Sequence, residues 1–189
     1  MLRFAASVMM VSGALLVADA VLTLTWQEPI SAIVAERNQA ELEDALADPP
    51  RRVIEQRPLP GDAVAKLEIP AIDVSEYVVE GTDTGDLRKG PGHYPETPLP
   101  GERGTSAIAG HRTTYGAPFR RLDDLDPGDR IVLELPGGQI SYRIERVTIV
   151  DDSDRSVLRT VGHDRLVLTA CHPLYSAEQR IVVFARELS

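Results

Sequence analysis

Cysteine is almost missing from this 189-residue chain, where Cys171 stands alone. One thiol excludes an internal disulfide and any cysteine-based zinc cluster. Lysine is nearly as scarce: apart from Lys66 and Lys89, every basic side chain other than histidine is arginine. That bias points to a GC-rich genome and not to a function. Excess positive charge is absent too. The net charge is −9 with no basic stripe, which speaks against a nucleic-acid partner. There is no internal repeat, phosphate-binding glycine loop, paired catalytic carboxylates or metal-ligand spacing, so no metal or other cofactor is expected. The acidic pair Asp123-Asp124 reads as a solvated helix face. The length suits one domain with extras and a substantial core.

What is present begins with an apolar segment. Residues 4–27 carry one charge, Asp19, and as a helix would extend about 36 Å, enough for a hydrocarbon core of about 30 Å. Trp26 stands where an interfacial aromatic belongs. Arg3 before the segment and acidic residues after it give a cytoplasmic N-terminus and an external remainder. The rival reading is a secretory signal cleaved at Ala18-Asp19-Ala20. Residues 29–47 read as a helix with Ile30, Ile33, Val34 and Arg37 along one side, stopped by Pro49-Pro50. Residues 51–62 hold arginines, prolines and a glycine. They read as a tether that either hugs the domain or spaces it from the membrane. The division is therefore a membrane anchor over 1–27, a helical and Pro/Arg-rich linker over 28–62, and a folded domain over 63–189.

Within that domain, short apolar runs fall at 65–69, 77–79, 106–110, 131–135 and 140–150. The last two join across Pro136-Gly137-Gly138, a hairpin signal. Residues 83–88 read as one helical turn, and 117–125 and 156–161 as short helices. Residues 90–104 form a Pro/Gly-rich loop containing His93 and Tyr94. About seven or eight short strands with few helices make an all-β barrel or sandwich.

The chemistry concentrates in RLVLTACHPLYSAEQRIVVFAR, residues 165–186. Two β-branched runs flank a loop, with Cys171 and Arg180 at the loop ends. Period two places Leu166, Leu168 and Ala170 with Ile181, Val183 and Ala185 on one face. Thr169, Cys171, Arg180 and Val182 then share the other. A thiol needs a base or cation to act as a nucleophile; otherwise a lone cysteine is an inert buried hydrophobe. Of the four histidines, His172 neighbours the thiol but faces the opposite way, and His163 sits in a polar, solvent-exposed connector. His111 ends a short strand where a loop begins, a suitable place for a general acid and base.

AIAGHRTTYGAPFRRLDDLDPGD, LVLTACHPLYSAEQRIVVFA and the earlier GDLRKGPGHYPETPLPGERG together resemble the sortase family, specifically its class E type, over roughly residues 64–188. The resemblance implies a closed eight-stranded β-barrel with short helices, behind an N-terminal transmembrane helix and helical linker. It implies a cysteine transpeptidase with His111, Cys171 and Arg180 as its triad, and Tyr94 and Thr169 are candidate substrate contacts. Such an enzyme cuts a Leu-Ala-x-Thr-Gly or Leu-Pro-x-Thr-Gly type of C-terminal sorting motif between Thr and Gly. The substrate is a secreted protein, which is passed through a thioester to a cell-wall amine. The implied setting is the outer face of a Gram-positive type membrane, entered through residues 4–27. The family's cysteine strand usually reads Thr-Leu-x-Thr-Cys, whereas Val167 and Ala170 replace both threonines here. A cysteine hydrolase and a non-catalytic surface β-domain are the competing functions.

Overall fold

The computed structural model describes residues 2–25 and 29–188. Eight strands form a closed barrel: β1 (Ala63–Ile69), β2 (Val74–Glu80), β3 (Gly92–His93), β4 (Thr105–Ala109), β5 (Arg130–Leu135), β6 (Gly138–Asp151), β7 (Arg165–His172) and β8 (Gln179–Glu187). Around the circumference the order is β1-β2-β3-β4-β7-β8-β6-β5. Pairs β2/β3 and β4/β7 are parallel, and the others are antiparallel. Closure is what separates this architecture from an open sandwich, since it removes the exposed strand edges.

The period-two reading of the last two strands holds. Leu166, Leu168 and Ala170 pack inside the barrel with Ile181, Val183 and Ala185, against Leu67, Ile69, Ile108 and Leu133. The opposite face is also covered. Val167, Val182, Phe184 and Ala107 form a second cluster under Tyr94, Val150, Val157 and Leu158. Burial on both faces explains why these runs read as almost continuously apolar.

Three local expectations change. Residues 117–125 form turns and one 3₁₀ turn (Leu122–Asp124) instead of a helix. Tyr115, Gly116 and Ala117 all hold positive φ, which breaks a right-handed helix before it starts. Phe119, Leu122 and Leu125 then enter the core at a spacing of three. Residues 156–161 reduce to a 3₁₀ turn (Arg155–Leu158), capped by Asp154 Oδ1 accepting from the Ser156 N–H at 2.8 Å. The Pro/Gly-rich loop contains a strand after all, the two-residue β3 that bridges β2 to β4.

At the N-terminus, helix α1 (Leu2–Thr25) exposes its apolar side chains, Phe4, Met9, Met10 and Leu16 among them. Among the described residues no helix is long and apolar enough to cross a membrane. The side chains of Asp19 to Thr25, and Trp26 and Gln27 altogether, lie outside the described residues. Helix α2 (Pro29–Ala47) follows and lies against the barrel. Of the apolar side read from the sequence, Ile33 and Val34 are exposed, and the docked face is the one with buried Ser31, Ala35 and Leu42. Small residues let the backbones approach. Gln39 completes the seat by accepting the Tyr77 N–H at 2.6 Å and donating to the Tyr77 carbonyl at 3.0 Å. Residues 51–62 hug the surface as well. Helix α3 (Arg51–Ile54) buries Val53, and Arg52 forks onto Asp62 at 2.7 and 2.6 Å. Helix α4 (Thr84–Leu87) is the expected single turn.

Candidate active site

Three strand ends converge at one rim of the barrel. β4 stops at Ala109, and the Gly110 N–H donates to the Thr169 carbonyl of β7 at 3.0 Å. A Cβ on Gly110 would meet the Phe119 ring at 2.5 Å, so only glycine lets that ring lie on the backbone before His111. The Phe119 N–H returns to the His111 carbonyl at 3.0 Å. His111 therefore stands at the neck of a closed loop. In β7 and β8, Cys171 is directly opposite Arg180, and Thr169 opposite Val182.

These elements enclose a cleft of ≈ 380 Å³ that His111, Cys171, Arg180, Thr169 and Tyr94 all line. Every site residue proposed from the sequence thus borders one space. The Tyr94 hydroxyl and Thr169 Oγ1 are 3.1 Å apart and tie the Pro/Gly-rich loop to β7. Cys171 is half-buried with a free thiol. Val157 and Leu158 supply an apolar wall, and Glu96, Asp152 and Asp154 an acidic rim. Of the two replaced threonine positions, Ala170 packs in the barrel core and also touches the cleft. Val167 is buried in the outer cluster.

Burial lowers the His111 pKa below its ordinary 6.5, and the nearby Arg88 charge lowers it further. Its Nε2 is shielded and has no hydrogen-bond partner among the described residues. The Tyr115 ring lies 5.4 Å from the imidazole, centroid to centroid, at 39°. Arg180 Nη1 donates to the Ala177 and Gln179 carbonyls, both at 2.9 Å, which bends the side chain toward its own loop.

The other histidines stay out of the cleft. His172 faces Arg112, with Nδ1 3.3 Å from Nη1. His163 is half-buried rather than fully exposed, with Nε2 3.6 Å from a Glu145 oxygen. His93 is buried between Glu80, 2.8 Å from Nδ1, and the Pro98 carbonyl, 3.0 Å from Nε2. It thereby anchors the loop that carries Tyr94.

Sequence reasoning missed Arg112. This guanidinium is buried behind the cysteine strand. It donates to the Arg120 carbonyl at 2.9 Å and to Asp123 Oδ1 at 2.5 Å, and Nη1 lies 3.5 Å from the Cys171 carbonyl. Asp123 is consequently the counter-ion of a buried cation and not an idle surface charge, because such a cation needs a partner. Asp124 pairs with exposed Arg121 at 2.8 Å, as a solvated residue should. The available signal was an arginine directly after a strand-end histidine.

The sortase domain family model matches residues 67–188. The chain belongs to the sortase family. It is 38% identical to Sortase D of Bacillus subtilis over 138 residues, which cover 70% of this chain and 68% of that protein. Sortase SrtE1 of Streptomyces coelicolor is 34% identical over 143 residues, which cover 67% of this chain and 41% of that protein. Among solved structures, sortase E from Streptomyces avermitilis is 34% identical at a TM-score of 0.64, over 70% of this chain and 91% of that one. The Clostridium perfringens sortase D5 aligns at a TM-score of 0.71 with 24% identity, over 82% of this chain and 99% of that one, and shares the fold.

Proposed function

We propose that this sortase is a class E-type transpeptidase with Cys171 as nucleophile, His111 as general acid and base, and Arg180 as oxyanion partner. The reading rests on one observation: Cys171 and Arg180 face each other across β7 and β8, and His111 lines the same cleft. With its pKa lowered, His111 is a neutral base near pH 7, ready to take the thiol proton. Sγ attacks the threonyl carbonyl of the sorting motif, and the oxyanion forms within reach of the Arg180 guanidinium. As the tetrahedral adduct collapses, the His111 imidazolium protonates the leaving glycyl amine, which leaves a thioester. The acceptor amine of a cell-wall precursor then attacks while neutral His111 takes its proton. A new amide forms and the thiol is restored. Amine defeats water by being held in place, since proximity is worth orders of magnitude in effective concentration.

Relatives named for classes D and E both align well, so class E specificity is a statement about the motif. Leu-Ala-x-Thr-Gly should be preferred over Leu-Pro-x-Thr-Gly. Tyr94 and Thr169, whose hydroxyls meet at 3.1 Å, would contact the bound motif together, from the Pro/Gly-rich loop and from β7. The enzyme would be held by residues 4–27 with its barrel outside the cell.

The test is incubation with both peptides, with and without an added amine, followed by mass spectrometry. An amine-linked product that Cys171→Ala cannot make supports the reading. Free acid alone, even with excess amine, would make the protein a hydrolase.

A further inference from the structure

We propose that α2 is a positioning helix for His111, which it holds through the two chain segments that flank the imidazole. The inference rests on the catalytic reading above. The helix lies outside the residues that match the sortase domain, so nothing in that match assigns it a role.

Ser31, Ala35, Asn38, Gln39 and Leu42 recur at spacings of three and four and make one stripe. At its N-terminal end the stripe meets the loop after His111. Buried Ser31 accepts the Tyr115 N–H at 3.3 Å, and Ala35 sits where a Cβ on Gly116 would come within 3.6 Å. That loop needs an outside hold. Tyr115, Gly116 and Ala117 have φ of 51°, 75° and 45°, a conformation that costs energy at the two non-glycine positions. Midway along, the stripe meets the segment before β3. Asn38 donates to the Arg88 carbonyl at 3.1 Å and Gln39 to the Lys89 carbonyl at 2.9 Å.

The two held segments supply the neighbours of the imidazole. Tyr115 contributes the ring 5.4 Å away, and the Arg88 guanidinium lies 5.8 Å from that same ring. Arg88 is also the charge that acts on His111. The other charged or titratable groups of the cleft, namely Cys171, Arg180, Tyr94, Glu96, Asp152, Asp154 and Arg155, belong to the barrel and its loops. Glu36 of α2 lines a different hollow, with Glu43 and Glu76. No described α2 residue lines the catalytic cleft, so the helix acts on His111 without touching the sorting peptide.

The experiment uses the full chain carrying Ser31→Ala, Ser31→Thr or Ala35→Glu. Turnover of the preferred sorting peptide is measured, and the His111 titration is followed by NMR of ¹³C-labelled histidine. Ser31→Ala and Ala35→Glu should lower kcat about tenfold, within the 10²-fold that a misplaced catalytic group can cost, with peptide KM nearly unchanged. In both variants the His111 midpoint should rise toward 6.5 as the ring gains water and loses Arg88. Ser31→Thr keeps the acceptor oxygen and should restore both values. If Ala35→Glu does not fold, the Ser31 pair decides alone. Wild-type kcat and an unmoved His111 midpoint in Ser31→Ala would overturn the proposal. An inactive wild-type chain would instead defeat the transpeptidase reading, and the NMR midpoint would still decide whether α2 positions His111.

Discussion

At the scale of single residues, Arg180 and Glu76 show how environment sets a role. Arg180 already gives Nη1 to the Ala177 and Gln179 carbonyls, so Nε and Nη2 would be the donors for the proposed oxyanion contact. An ammonium has one nitrogen and cannot hold the loop and a substrate in the same geometry. Arg180→Lys and Arg180→Ala should therefore each lose at least ~10² in kcat/KM, the usual scale for one well-aimed oxyanion donor. Their circular dichroism should match wild type. Near-normal turnover by the lysine variant would leave Arg180 as general electrostatic support. Glu76 lies under α2, where burial raises its pKa to about 7 from an ordinary 4.5. The folded state then binds more protons than the unfolded one between those values. Stability is complete below the ordinary pKa and falls as pH rises through about 7. Glu76→Gln should remove that fall, adding about 1–2 kcal/mol at pH 8 after allowance for partial exposure, and should do little at pH 4. Urea melts at the two pH values measure the difference. An equal gain at both would assign it to something other than ionisation.

Between residue and molecule, the segment from β6 to β7 shows how one buried cation shapes a wall. Arg165 Nη2 donates to the Val157 carbonyl at 3.0 Å and the Arg159 carbonyl at 2.7 Å. Its guanidinium centre stands 4.8 Å from the Phe184 ring, and that of Arg146 4.3 Å from the same ring. Val157 and Leu158, held this way, line the cleft. Arg165→Met keeps the apolar stem but leaves two carbonyls without their charged donor, at about 1.5–3 kcal/mol for each such bond. Peptide KM should rise about fivefold, roughly 1 kcal/mol of the binding lost, while kcat changes little because Cys171 lies towards the other end of β7 and His111 beyond β4. Steady-state kinetics separates the two. A fall in kcat at constant KM would show that Arg165 acts on the chemistry and not on the wall.

For the whole molecule, the proposed anchorage through residues 4–27 makes a prediction about where the chain goes. Apolar side chains along α1 are exposed, whereas α2 and residues 51–62 lie against the barrel. The full chain should sediment with membranes and be digested by protease added to cells stripped of wall. A chain beginning at residue 29 should be soluble, with α2 still docked. A mature form starting at Val21 would show cleavage after Ala20 and remove the anchor.

Some of this was legible without coordinates. The alternation in residues 165–186 set which side chains face the core and put Cys171 with Arg180, because a strand's side-chain period is a local, fixed property. The hairpin at Pro136-Gly137-Gly138 and the end of the β4 strand before His111 were equally local. Other features depended on partners distant in the chain. The barrel closes through β3, two residues that no periodicity could reveal. Ile33 and Val34 share one side of α2, yet the side that docks carries Ser31, Ala35 and Gln39. That choice depends on the unpaired backbone at Tyr77, a demand invisible from within the helix. Asp123 is exposed, as a solvated face requires, but its carboxylate also pairs with buried Arg112, a partner no local pattern shows. Sequence alone determined the longer strands and where Cys171 and Arg180 fall on them. Tertiary structure decided which surfaces hold His111 in place, because those contacts join residues as many as 84 positions apart.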